Sequence, residues 1–277
     1  MGARDSGWIQ LYSESGQEAY DNIIQAIRIA EHPDVLLPVM VCQDGFITSH
    51  GMERVEIYDS AEVKKFVGEY RPQWPLLDIK NPKTYGPLDF YDYYYEHKRQ
   101  QVQAMENAQP VVLDVAAEFN ARFGRSYGLF EAYRLEDAEV AVVALNSTAG
   151  TTKLVVDQLR DEGLRVGLLK PRLFRPFPAR ELVNALQHLK AIAVMDRSIS
   201  FGIMDNSGPL FSELAAAFYT YGPRVPMVDY VYGLGGRDIL THEIEEVLRN
   251  ALKIAETGQI ERQVTFLGVR EQAQGVM

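Results

Sequence analysis

Between residues 139 and 257, short apolar runs alternate four times with amphipathic stretches, and few folds satisfy that pattern. Glu139 to Leu145 reads EVAVVAL, Arg165 to Lys170 reads RVGLLK, Ala191 to Met195 reads AIAVM, and Arg224 to Tyr230 closes the series. Nearly all-apolar runs of this length suit strands covered on both faces, as in a parallel sheet. The intervening helices are predicted from Thr151 to Glu162, where Gly163 ends the first, from Pro178 to about Leu189, from Pro209 to about Tyr219, and from an N-cap at Thr241 to about Thr257. The prediction is a doubly wound α/β domain with a parallel sheet.

The first fifty residues hold a smaller unit. Trp8 to Tyr12 reads as a strand, and Ser15-Gly16-Gln17-Glu18 as a capping box with Ser15 at the N-cap. A helix to about Glu31 follows, His32-Pro33-Asp34 stops it, and Val35 to Val41 reads as a second buried strand. Two strands do not make a parallel sheet. The unit is therefore expected to be the tail of a larger domain, with its missing strands in a partner chain or lost by truncation.

Residues 52–135 are less regular. A helix is predicted from Ala61 to Tyr70, a proline-rich surface stretch from Arg71 to Pro87, and helix again from Phe90 to Asn107 and, beyond Pro110, from Val111 to Phe123. Tyr91, Tyr93, Tyr94 and Tyr95 are expected to pack on a neighbouring domain. Asp89, Asp92 and Glu96 have the wrong sign for a base-stacking platform.

Charge and cysteine content exclude several classes. A net charge of −10 argues against a sequence-independent grip on nucleic acid. A single cysteine, Cys42, rules out an intrachain disulfide, a cluster ligated by this chain alone and a Cys-rich zinc site. No apolar stretch is long enough for a membrane span, and the N-terminus has no secretory h-region, so a cytoplasmic location and no membrane partner are expected.

Ligands of such sheets bind beyond the carboxyl ends of the strands. Those ends are Asn146-Ser147-Thr148-Ala149-Gly150-Thr151-Thr152, which is either a capped turn or an anion site, then Asp196-Arg197-Ser198 and Tyr232-Gly233-Leu234-Gly235-Gly236-Arg237-Asp238. Asp196 and Arg197 read as a potential ion pair. The glycines suggest positive φ or close backbone approach. Asp44-Gly45-Phe46 follows the second N-terminal strand and is expected on the edge that carries a cleft. Arg4, ahead of the first strand, has the chemistry to clamp a carboxylate.

Several blocks, in order, resemble the alpha subunit of the 2-oxoacid:ferredoxin oxidoreductases, the pyruvate branch above all. They are Arg4-Asp5-Ser6-Gly7-Trp8-Ile9-Gln10, Gln17-Glu18-Ala19, Leu37-Pro38-Val39, Asp44-Gly45-Phe46 with Ser49-His50, Phe174-Arg175-Pro176-Phe177, Asp196 to Gly202 and Tyr232 to Asp238. The resemblance implies residues 1–51 as the C-terminal remnant of a pyrimidine-binding α/β domain and 52–135 as a partly helical connecting region. It implies 136–258 as a transketolase C-terminal-like α/β domain and 259–277 as a tail. It implies thiamine diphosphate with Mg2+ shared with another subunit, and [4Fe–4S] clusters on partner subunits only. Beta, gamma and delta subunits in a hetero-oligomer, ferredoxin, a 2-oxoacid and coenzyme A are the implied partners. The implied reaction is oxidative decarboxylation of pyruvate to acetyl-CoA and CO2, or its reverse. A non-catalytic remnant, or a subunit for oxalate or branched 2-oxoacids, is the alternative. Arg4 aligns with the family's contact to the 2-oxoacid carboxylate. Family members carry a further N-terminal segment with the activating glutamate, so the isolated chain is expected to be inactive. Under this resemblance the tyrosine-rich stretch is expected at an interface.

Overall fold

The computed structural model describes residues 1–270; of the tail expected over 259–277, residues 271–277 lie outside the described residues. In chain order the elements are β1 (Ile9–Tyr12), α1 (Gly16–Ala30), β2 (Val39–Cys42), α2 (Ile47–His50), α3 (Ser60–Val67) and α4 (Tyr94–Phe123). Next come β3 (Phe130–Tyr133), β4 (Val140–Ala144), α5 (Thr148–Asp161), β5 (Val166–Pro171), β6 (Leu173–Arg175) and α6 (Ala179–Leu186). The chain continues through β7 (Ala191–Asp196), α7 (Pro209–Tyr221), β8 (Met227–Val231), α8 (Thr241–Thr257) and β9 (Val264–Phe266).

The C-terminal sheet has the order β3-β5-β4-β7-β8-β9. All its pairs are parallel except β3, which lies antiparallel on β5. Strand alternation feeds two cores from the same strands. Ala141 and Val143 of β4 and Ile192 and Val194 of β7 enter the core under α6 and α7. Val140, Val142 and Ala144, with Ala191, Ala193 and Met195, enter the one under α5 and α8. Every residue of β4 is thus buried, which is why its sequence shows no polar alternation. The doubly wound architecture is as the alternation predicts. The two edge strands β3 and β9 are additional: they are short, half-polar and too weak in pattern to read as strands.

The N-terminal sheet has the order β2-β1-β6. β1 and β2 are parallel, as expected. The third strand, however, comes from this same chain: β6 runs antiparallel to β1, with Gln10 opposite Arg175 and Leu11 opposite Leu173. That corrects the expectation that the strands flanking this unit lie only in a partner or a lost segment. The turn after β5 brings its last residues onto β1, so Leu173 packs in the third core with Ile9, Leu11, Ile29 and Phe119.

Other local expectations shift. The second strand starts at Val39 rather than Val35, because the chain is still turning after α1: the Val35 and Leu36 amides bond back to His32, and Leu36 has φ 48°. Val35 and Leu37 are buried as loop residues. α4 runs unbroken through Pro110. A proline there forfeits one helical hydrogen bond, but Ala108, Val111, Val112, Val115 and Phe119 are buried on both sides of it and hold the axis. Ser15 does cap α1 by accepting from the Glu18 amide (3.2 Å), but Glu18 turns to the Glu14 amide (2.7 Å) instead of closing the box on Ser15. Thr241 is the first residue of α8; Glu243 accepts from the Leu240 amide at its start (2.8 Å).

Candidate functional site at the meeting of the two sheets

From β4 the chain steps to β5 on one side and returns to β7 on the other, so the direction of winding switches between β4 and β7. Crevices form at such switch points. Here a cleft of about 260 Å3 lies beyond the carboxyl ends of β4, β7 and β8 and is closed by the ends of β1 and β2. Asn146, Asp196, Arg197 and Tyr232 line it from the larger sheet, and Tyr12, Cys42, Asp44 and Gly45 from the smaller.

The walls are fastened by side chains far apart in sequence. Asn146, at φ 56°, donates to the carbonyls of Ser13 (2.9 Å), just past β1, and Cys42 (3.1 Å), at the end of β2. Asp44, nearly buried, accepts from the Ser147 amide (2.8 Å) and from the Ser147 hydroxyl at the start of α5. The Asn146–Thr152 turn is therefore capped from within the chain, and an internal carboxylate fills the place an anion would take. Arg197 pairs with Asp44 (3.5 Å) and not with Asp196, a correction to the expected Asp196–Arg197 pair. Its guanidinium also donates to Thr148 (3.2 Å) and stacks 5.1 Å from the Tyr232 ring, while its Nε has no partner. Tyr232 donates to the Thr148 hydroxyl (2.6 Å). Burial raises the pKa of both Cys42 and Tyr232. Gly233, Gly235 and Gly236 all have positive φ, as their sequence suggests, and Gly233 backs onto Arg197.

Asp196 turns inward. It accepts from the amides of Leu210 (3.1 Å) and Phe211 (2.9 Å), and so caps α7 from a neighbouring strand. Asp229, fully buried in β8, accepts from the Gly208 amide (2.6 Å) and leaves one oxygen without a partner. Asp196 pairs opposite Val231 and Asp229 opposite Val194, so the two carboxyls sit diagonally on one face. Burial first, then the Asp229 charge, pushes the Asp196 carboxyl up to about 8; burial pushes Asp229 up to about 6. A Cβ on Gly208 would collide with the Asp196 carboxyl group. Gly208→Ala is expected to cost about 1–3 kcal/mol through overpacking, read as a lower urea midpoint with an unchanged slope.

A second, larger cleft of about 490 Å3 opens where α1 meets β3 and β5. Lys170, almost buried, reaches Glu14 (2.9 Å), Glu18 (2.9 Å) and Glu131 (3.1 Å), and Lys153 bridges Glu14 (2.9 Å) and Glu131 (2.8 Å). Behind it the buried Arg172 donates to Asn22 (2.8 Å) and Gln25 (3.0 Å) of α1. Sequence reading missed this cluster and Asp229. The available signal was a charge inside an apolar run, Lys170 in RVGLLKP and Asp229 in PMVDYV, since charges are seldom buried unpaired.

Arg4 sits in a turn before β1, 29% exposed, with Nε 3.5 Å from Asp5. It is outside the lining of the 260 Å3 cleft, although its charge acts on Asp196.

Two family models match the chain. "Pyruvate flavodoxin/ferredoxin oxidoreductase, thiamine diP-bdg" covers residues 1–117, and "Pyruvate:ferredoxin oxidoreductase core domain II" covers residues 138–244. The pyruvate synthase subunit PorA of Thermotoga maritima is 52% identical over 98% of this chain and 68% of its own length. The chain belongs to the 2-oxoacid:ferredoxin oxidoreductases, as an alpha-type subunit. The corresponding subunit of Methanothermobacter thermautotrophicus is 42% identical over 98% of this chain and 67% of its own. The ketoisovalerate oxidoreductase subunit VorA of Pyrococcus horikoshii is 38% identical over 96% and 66%. The chain thus spans about two thirds of the length of these family members. In fold it is similar to a 2-oxoglutarate:ferredoxin oxidoreductase from Magnetococcus marinus, with a TM-score of 0.55 at 17% identity, covering 88% of this chain and 42% of the other. Among the described residues no helix is long and apolar enough to cross a membrane.

Proposed function

We propose that this chain serves a multisubunit pyruvate:ferredoxin oxidoreductase of the cytoplasm. The complete enzyme decarboxylates pyruvate, passes the acetyl group to coenzyme A and sends electrons to ferredoxin, or runs the reverse. What supports the pyruvate reading above the branched-chain one is the 52% identity to a pyruvate synthase subunit against 38% to a ketoisovalerate one. The beta, gamma and delta chains would bring the [4Fe–4S] clusters, which this chain, with one cysteine, does not ligate alone.

Thiamine diphosphate, when bound, supplies the electron sink that lets CO2 leave a 2-oxoacid. The described residues do not by themselves fit that group. No three His, Cys, Asp or Glu side chains among them converge to hold a metal ion. Glu14 and Glu18 are both held by Lys170, so neither is free to activate an aminopyrimidine. The chain's own contribution is the rigid pairing of two sheets through Asn146, Asp44 and Arg197, which fixes the wall against which a partner completes the pocket.

In this reading Arg4 contacts the 2-oxoacid carboxylate. Arg4→Ala in the assembled enzyme is expected to raise the KM for pyruvate by about tenfold or more, on the scale of a charge-assisted hydrogen bond. The assay is 2-oxoacid-dependent reduction of a low-potential dye by the co-expressed subunits, with and without coenzyme A. An unchanged kcat/KM removes Arg4 from the site, and an assembled enzyme inert toward pyruvate but active on a branched 2-oxoacid overturns the substrate assignment.

A further inference from the structure

From Gly68 to Gln100 every residue is exposed except Asp78 and Asp89. Leu77 is 86% exposed, Ile79 90%, Tyr91 94% and Tyr95 81%. The stretch from 68 to 93 forms no helix or strand. It leaves the body after α3, touches it through Gln73 to the Pro33 carbonyl (3.3 Å), and returns at α4. Within it, hydrogen bonds are local: the Asp78 turn, Tyr85 to the Trp74 carbonyl, and Asp89 to His97. α4 first meets the N-terminal core at Ala104 and Met105, so its turns before Gln101 stand on no core among the described residues.

Long segments without secondary structure are uncommon in compact domains unless they have a task. A soluble surface also rarely carries an apolar patch beyond a few hundred Å2. Eleven large apolar or aromatic side chains from Trp74 to Tyr95 are each more than half exposed, a concentration of uncovered surface that is typical of an interaction site. The segment is rich in Tyr, Trp and Leu, the first two being typical anchors. Between them lie five acidic and three basic residues from Gly68 to Glu96, and the whole chain carries −10. A second copy would meet this surface with like charge, whereas a groove rimmed with Lys and Arg would complement it.

We infer that residues 68–100 form a docking arm for a different subunit of the enzyme, one presenting an apolar groove with a basic rim. The inference rests on the reading of the chain as part of a multisubunit oxidoreductase, and its readout is assembly and not turnover, so the two fail separately.

The test uses the co-expressed enzyme with Leu77→Ser, Ile79→Ser, Tyr91→Ser and Tyr95→Ser combined. These positions are exposed, so the chain alone should keep its circular dichroism and melting temperature. By mass photometry its association with the other subunits should weaken by about 100-fold or more. Asp92→Lys with Glu96→Lys should slow association and flatten its dependence on salt. A benzoylphenylalanine placed at Tyr91 should crosslink to a different subunit. Native assembly of the quadruple variant overturns the arm as a docking element. Crosslinks only between copies of this chain, with a dimer that the quadruple variant loses, overturn the assignment to a different subunit.

Discussion

Replacing Lys170 with methionine lowers the stability of the folded chain by about 3–5 kcal/mol, the cost of removing one partner of a buried ion pair. Lys170 is 6% exposed and is the common partner of Glu14, Glu18 and Glu131, and Glu18 is itself buried. Burial alone would lower the Lys170 pKa, but the charges of Glu18 and Glu14 outweigh it and raise the pKa instead. A lysine whose folded pKa lies above its unfolded value contributes fully below the unfolded value, about 10.4, and loses that contribution only as pH rises through the folded one. The wild-type contribution is therefore constant across neutral pH. In Lys170→Met the buried Glu18 is left without an ammonium, while Lys153 still holds Glu14 and Glu131, so the deficit is set chiefly by the Glu18 charge. Urea unfolding at pH 4, 7 and 9 measures this. A loss below about 1 kcal/mol at pH 7 would place Lys170 with exposed pairs. Lys153→Met, at the more open end of the cluster, should cost less than Lys170→Met.

Asp229→Asn is expected to have the opposite sign at alkaline pH. Asp196 and Asp229 are carboxyls whose folded pKa values, about 8 and about 6, lie above the unfolded value near 3.9. The folded state binds more protons than the unfolded chain between those limits, so stability falls as pH rises from about 4 to 8. The substituted carboxamide keeps an oxygen for the Gly208 amide and offers an NH2 toward the side where Asp229 has an unpartnered oxygen. Above pH 8 the variant should gain about 1–3 kcal/mol, and the slope between pH 4 and 8 should flatten. Asp196→Asn behaves differently. Its single amide oxygen would serve one of the Leu210 and Phe211 amides where a carboxylate serves both, and orphaning a buried N–H costs about 1–3 kcal/mol. Chemical denaturation from pH 4 to 9 separates the two. A wild-type curve that is flat over that range would show that these carboxyls bind no extra proton in the folded state.

The four central strands were legible because each is buried on both faces and reads as an apolar run. β6 was not: Leu173-Phe174-Arg175 is three residues long, and only its pairing with β1 makes it a strand. Val35 and Leu37 misled because apolar loop residues and strand residues look alike when both are buried. Pro110 misled because a local penalty of about 3 kcal/mol is outweighed by the packing of the helix face around it. At the cleft, Asp44, Arg197, Asp196, Tyr232 and the glycine turn were all legible as strand-end residues. Their partners were not. Arg197 binds the carboxylate across the cleft in preference to its sequence neighbour, because adjacent residues at a strand end point to opposite faces.

Periodicity, caps and strand-end composition act over a few residues, so the linear chain alone determined the alternating α/β order, the double winding and the edge on which a cleft would open. Burial and charge pairing are decided by residues far apart in sequence. Only the tertiary structure could therefore seat β6 beside β1, gather three glutamates on Lys170, lock Asp44 to Arg197 and leave one arm of the chain without a core of its own.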